Sequence, residues 1–190
     1  MNETERNSLL VKIRDKHILI ENLLQQIGNR FSQSGCASCA KVCCEEGICR
    51  ETVNSDFLRY ILGEKIKDYD NQTGWFKQGK GCSLSYGRPF VCYEYFCSKF
   101  DGTNGVVDLQ QLARLFRQCY SKELGNRHIL TVDDIQQIAV NKLAKILGNL
   151  EQLVALTNER LRGSESQTAS QHNVSVKRGL AQPVPIIFTR

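Results

Sequence analysis

Eight of the nine cysteines in this chain lie between Cys36 and Cys97, and their spacing is the first chemistry the sequence offers. Cys36-x2-Cys39-x3-Cys43-Cys44 comes first, Cys49 and Cys82 follow singly, and Cys92-x4-Cys97 closes the series. Close pairs backed by distant single cysteines are the donor set of a closed tetrahedral zinc site or a four-cysteine iron–sulfur cluster. The stretch GCASCAKVCCEEG has helix propensity, and on a helix Cys36, Cys39 and Cys43 share one face. Cys44 is then rotated from Cys43 by about 100°, toward a second metal or the core. The N-terminal stretch MNETERNSLLVKIRDK is charged and carries no apolar leader, so a cytoplasmic location is expected. In that reducing compartment, cysteines at this density are expected to hold metal rather than disulfides. The ligand set is therefore Cys36, Cys39, Cys43, Cys44, Cys49, Cys82, Cys92 and Cys97, around a 4Fe–4S cluster or zinc. Cys119 falls on an apolar helix face and reads as a small buried hydrophobe.

Other residues near the cysteines bear on the same centre. Arg88 could donate to cluster sulfurs or pair with a carboxylate such as Glu94. Pro89 fixes the backbone before the last cysteine pair. Eleven of the fifteen aromatic residues fall between Phe57 and Phe100, where they either shield a cluster or simply form core. Gly74-x4-Gly79-Lys80 imitates a phosphate loop, but Gly81 replaces the hydroxyl residue and no apolar strand precedes it. The radical-SAM cysteine spacing is present only in reverse order. His17, His128 and His172 stand far apart and read as structural or solvated, and no serine–histidine–carboxylate or paired-carboxylate signature is local.

The cysteine segment resembles the YkgJ-type cysteine-cluster family, the CxxCxxCC zinc- or iron-chelating domain. The resemblance is carried by Cys36-Ala37-Ser38-Cys39 with Cys43-Cys44, by Gly81-Cys82, and by Arg88-Pro89-Phe90-Val91-Cys92-Tyr93-Glu94-Tyr95-Phe96-Cys97. The last run is similar to the family's R-P-x-x-C-x-x-F-x-C pattern, with Tyr86 shortly before Arg88. Three departures stand out: Phe96 stands adjacent to Cys97 in the last run, three residues rather than two precede the paired cysteines, and Tyr93 follows Cys92 where the family often has Arg. The resemblance covers about residues 35–100 and implies a metal or iron–sulfur centre without a single defined activity.

Helices must position these residues. Leu10, Ile13, His17, Ile20, Leu24, Ile27 and Phe31 recur at alternating spacings of three and four, which predicts an amphipathic helix over 4–33, stopped by Gly35. Ser55-Asp56 caps a short helix ending near Asp68, and a turn-rich stretch runs from Asp70 to Gly74. Residues 108–124 read as helix with Asp108 as N-cap, and Thr131 with Asp134 as a capping box for a helix to about residue 162, which Gly148 could bend. Phe90 to Tyr93 is the best strand candidate. The expected fold is mainly α, with long flanking helices packed on a small irregular cysteine-rich lobe. Its parts are an N-terminal helix (1–34), the cysteine lobe (35–105), a helical region completing the same domain (106–163), and a linker with an apolar tail (164–190).

Charge narrows the partners. The net charge of +5 falls to +1 with eight thiolates on two zinc ions, and to +3 with one 4Fe–4S core on four thiolates. That balance, with no lysine–arginine block, argues against nucleic acid, and no apolar run is long enough for a membrane span. The extended apolar end from Pro183 to Phe188 could dock on its own domain or on a protein partner. The expected function is a metal-binding cysteine-cluster protein with an electron-transfer or accessory role. The alternative is a zinc-stapled interaction module without catalysis.

Overall fold

A computed structural model of the chain describes residues 3–32, 46–77, 81–94, 104–125 and 129–178. Helix α1, Glu3–Ser32, realises the periodic stripe: Leu10, Ile13, His17, Ile20, Leu24 and Ile27 are all buried. Burying each aliphatic side chain of this stripe contributes about 1.5–3 kcal/mol before chain entropy is counted. Glu3 and Glu5 in the first turn complement the positive end of the helix dipole.

Three short helices follow: α2, Glu46–Asn54, α3, Asp56–Leu62, and, after a gap, α4, Val91–Glu94. Ser55 caps α3 as its sequence position predicts, its hydroxyl oxygen accepting from the Leu58 amide at 3.3 Å. The α-helix stops earlier than expected, at Leu62, because Gly63 adopts φ +53°; a 3-10 helix, Gly63–Asp68, covers the remaining residues. The Asp70–Gly74 stretch is the turn its composition predicts, with the Asp70 carboxylate accepting from the amides of Gln72 and Thr73.

Beyond the turn, β1, Phe76–Lys77, and β2, Gly81–Cys82, pair antiparallel with Phe76 opposite Cys82. These two strands are the whole of the sheet among the described residues. The expected strand at Phe90–Tyr93 is instead a turn leading into the one-turn helix α4. The amides of Cys92 and Tyr93 bond back to the Pro89 and Phe90 carbonyls, and proline before them favours that tight geometry over a ladder.

Helix α5, Asn104–Ser121, begins before Asp108, which is therefore interior and not a cap. It packs on α1 and on α4 through Val106, Leu109, Leu112, Ala113, Phe116 and Tyr120. Between α5 and the last helix, two 3-10 turns (Ile129–Thr131 and Ile135–Gln137) replace the expected helical start; Asp134 caps only the second. The Ile135 amide donates to Asp56 Oδ2 at 3.1 Å, tying this connection to α3.

Helix α6, Val140–Arg178, runs unbroken through Gly148 and beyond residue 162, so the Ser/Gln-rich stretch 164–178 is helical rather than linker. The chain divides into two compact units, Met1–Thr157 and Asn158–Arg190. Within the first, Leu143, Ile146, Leu150 and Leu153 form the buried face of α6. The apolar end 183–188 lies outside the described residues. The architecture is mainly helical, as the sequence predicts. No described helix is long and apolar enough to cross a membrane.

Candidate functional site

Three of the eight expected ligands, Cys49, Cys82 and Cys92, fall among the described residues. Cys36, Cys39, Cys43, Cys44 and Cys97 lie outside them, as does the helix expected to align the first cluster. Among the described residues, no three His, Cys, Asp or Glu side chains stand together as a metal-binding group. Cys49 and Cys82 are free thiols.

The described cysteines nevertheless converge from distant parts of the chain. Cys49 on α2 forms a small apolar cluster with Leu62, Trp75 and Leu84, and Cys82 on β2 packs against that cluster. A buried polar chain sets Trp75 in place: its indole N–H donates to Thr52 Oγ1 at 2.6 Å, and that hydroxyl donates to the Cys49 carbonyl at 2.6 Å. Gly74 must be glycine here. Its φ is +60°, and a Cβ would stand 2.7 Å from Cys49 Cβ and 3.0 Å from its sulfur.

Arg88 is tied to the Cys49 cluster through Leu84. Its guanidinium does not pair with Glu94; it donates through Nε (3.0 Å) and Nη2 (2.5 Å) to the Leu84 carbonyl, while Glu94 pairs with Arg117 on α5 at 3.2 Å. Burial works against the charge of Arg88. The electrostatic pull of its neighbours Tyr93, Cys82, Cys92 and Glu21 together outweighs burial and holds it above arginine's ordinary value. The guanidinium is thus the fixed positive charge of this corner.

Sequence reasoning missed the group that holds the corner in place. Glu21, fully buried on α1, reaches the Gly87–Tyr93 segment. Its Oε2 accepts from the Gly87 amide at 2.5 Å, and its Oε1 accepts from the Arg88 amide at 2.8 Å and the Tyr93 phenol at 2.9 Å. Gly87, at φ +79°, turns its amide inward, and a Cβ there would stand 2.7 Å from Leu62 Cδ2. One turn along α1, the Gln25 side-chain amide donates to the Ser85 carbonyl at 2.5 Å and to the Tyr93 oxygen at 3.3 Å.

His17 completes the buried polar set. Its Nδ1 is 2.8 Å from the Tyr120 hydroxyl, and its Nε2 is 3.7 Å from Glu21 Oε2, beyond hydrogen-bond reach. Burial lowers the histidine pKa to about 3, so His17 is neutral and the contact is not an ion pair. Burial raises the Glu21 carboxyl to about 7 against the opposing pull of the Gly87 and Arg88 amides, Tyr93 and Arg88. Phe57, Phe90, Phe116 and Tyr120 surround the imidazole, so Phe90 belongs to the helical core rather than to a shield around the cysteines. The available signal was positional: Glu21 sits inside the apolar stripe of α1, one turn after His17, where a solvated carboxylate has no place.

Cys119 lies where its helix face predicts. Its thiol points to the Asn149 carbonyl at 3.5 Å, the Asn149 amide donates to the Cys119 carbonyl at 3.2 Å, and burial pushes the thiol pKa up to about 11. It is a packing residue joining α5 to α6.

No family model, no curated protein and no solved structure matches this chain. The resemblance to the CxxCxxCC family rests on the cysteine motifs themselves.

Proposed function

We propose that the chain is a metal–thiolate protein whose lobe holds an iron–sulfur cluster or zinc, with an electron-transfer or accessory role. The observation that carries this reading is that Cys82 packs on the Cys49 cluster, with the Arg88 guanidinium bound to the carbonyl of Leu84 in that same cluster. Four thiolates on zinc, or on a 4Fe–4S core, carry net negative charge, and a fixed guanidinium offsets it. The donors fit such a centre in type: thiolate sulfur selects zinc and iron–sulfur clusters. Cys36, Cys39, Cys43, Cys44 and Cys97 supply the remaining sulfurs in this reading.

Bound metal would supply redox chemistry if iron–sulfur and cross-linking if zinc. The chain's own residues do the rest: Thr52 and Trp75 pack Cys49, and Arg88 sets the local charge. Anaerobic purification followed by elemental analysis and visible spectroscopy tests the reading. A brown protein with absorbance near about 400 nm, from sulfur-to-iron charge transfer, identifies iron–sulfur. A colourless protein with stoichiometric zinc identifies the structural centre. Protein that carries no metal, and takes up neither zinc nor iron with sulfide on reconstitution, overturns it.

A further inference from the structure

We propose that Glu21 is the positioning residue of the cysteine lobe, setting from α1 where Arg88 and Cys92 stand relative to Cys82. The purpose of that placement rests on the metal–thiolate reading; the placement itself does not.

A carboxylate in a helical core is costly, and a well-packed apolar residue of similar size is often as stable or more so. Glu21 must therefore do something that leucine or methionine at the same position cannot. It takes two consecutive amides, Gly87 and Arg88, one on each oxygen, together with the Tyr93 hydroxyl. Without it those two N–H groups would face the core with no acceptor. The three donors bracket Cys92 in sequence, so one carboxylate holds the backbone before that cysteine and the side chain after it.

Arg88 is the residue most constrained by this arrangement. Its amide is bound to Glu21 on one side, and its guanidinium is bound to the Leu84 carbonyl on the other. Gln25 holds Ser85, between those two anchors, to the same helix. The cation of this corner is therefore placed by α1, an element that carries no cysteine. Loss of a partner one shell out from metal ligands typically costs about 10–100-fold in metal affinity.

The test uses the full chain with Glu21→Gln and Glu21→Leu, with Tyr93→Phe as a milder variant that removes one of the three bonds. Leu10→Ala, buried on the same helix but remote from the loop, reports the effect of lost stability alone. Cobalt(II) titration followed through its thiolate charge-transfer band should show affinity weakened about tenfold or more in Glu21→Leu, less in Tyr93→Phe, and unchanged in Leu10→Ala. Amide exchange at Gly87 and Arg88 should accelerate in the Glu21 variants and not in the control. Wild-type exchange and wild-type cobalt affinity in both Glu21 variants would overturn the proposal, as would an equal loss of affinity in Leu10→Ala. If the wild-type chain binds no metal, the function proposed above fails, and the placement is then decided without metal. Iodoacetamide alkylation of Cys92 should change rate in Glu21→Leu and not in Leu10→Ala, and an unchanged rate sinks it.

Discussion

The crossing of α1 with α5 and the lobe between α2 and α4 are stabilised by different physics. The crossing is built from long helices whose periodic faces bury Leu10, Ile13, Ile20, Leu24, Leu109, Leu112 and Phe116. The lobe has a nine-residue and a seven-residue helix, two two-residue strands, a 3-10 helix with no fully buried residue, and a one-turn helix. Elements that short are marginal alone, because each costs chain entropy and returns little buried area. Besides the small cluster of Cys49, Leu62, Trp75 and Leu84, what holds them is side chain to backbone: Thr52 under Cys49, Arg88 on Leu84, Glu21 on Gly87 and Arg88. The difference teaches that a segment without long elements needs either cross-links or anchors from a neighbour, and this chain has the residues for both.

The largest effect should come from removing the cross-links. Chelation, or loss of Cys36 and Cys39, is expected to unfold residues 35–100 while α1 and α5 partly survive, read as amide protection lost from the lobe alone. An identical melting curve for verified metal-free protein would erase the distinction drawn here. The converse perturbation is Phe116→Ala, which should destabilise the crossing by about 3–5 kcal/mol in urea unfolding. It should leave metal content unchanged, since Phe116 packs on His17, Phe90 and Tyr120 in the helical core.

A third prediction probes the anchor between the two regions through pH. The ordinary values of His17 and Glu21 are 6.5 and 4.5, and burial moves them to about 3 and about 7. The lowered histidine alone gives stability that is present above 6.5 and lost as pH falls toward 3. The raised glutamate alone gives stability that is present below 4.5 and lost as pH rises through 7. Between about pH 4.5 and 6.5 the slopes cancel, because the unfolded chain carries one proton on His17 and the folded chain one on Glu21. Glu21→Gln should uncover the histidine slope, about 1.4 kcal/mol per pH unit relative to wild type, stability falling with pH below 6.5. Urea titrations at pH 5 and 6 measure it; parallel wild-type and variant lines would show that the pair does not compensate. The smallest effect is expected from Cys119→Ala, about 1 kcal/mol of lost packing with metal stoichiometry intact.

The helical framework was legible because its signal is local. Six buried residues of the α1 stripe and the Ser55 cap lie within reach of simple periodicity and capping rules. The failures share a cause as well. Phe90–Tyr93 has strand composition, but Pro89 and packing on α5 fold it into a turn. Asp108 looked like a cap until α5 was seen to begin at Asn104, and residues 164–178 have linker composition yet continue a helix. Of the site, the cysteines were visible by type, whereas the anchor was not. Glu21 meets partners far along the chain, and His17 meets Tyr120 at a still greater separation. No spacing rule connects residues that only the packed fold brings together.

Gly87 carries a consequence for anyone mapping this protein by saturation mutagenesis. Its amide lies on Glu21, and the place of its missing side chain is taken by Leu62, so the position is a backbone slot filled from both sides. In a variant library it should tolerate almost nothing, alanine included, and Gly74 against Cys49 should behave the same way. Both would score like catalytic positions while holding no reactive atom. A cysteine whose loss another thiol of the lobe could make good would give a flatter signal than either glycine. A fitness map of this chain therefore marks the frame more sharply than the chemistry it frames.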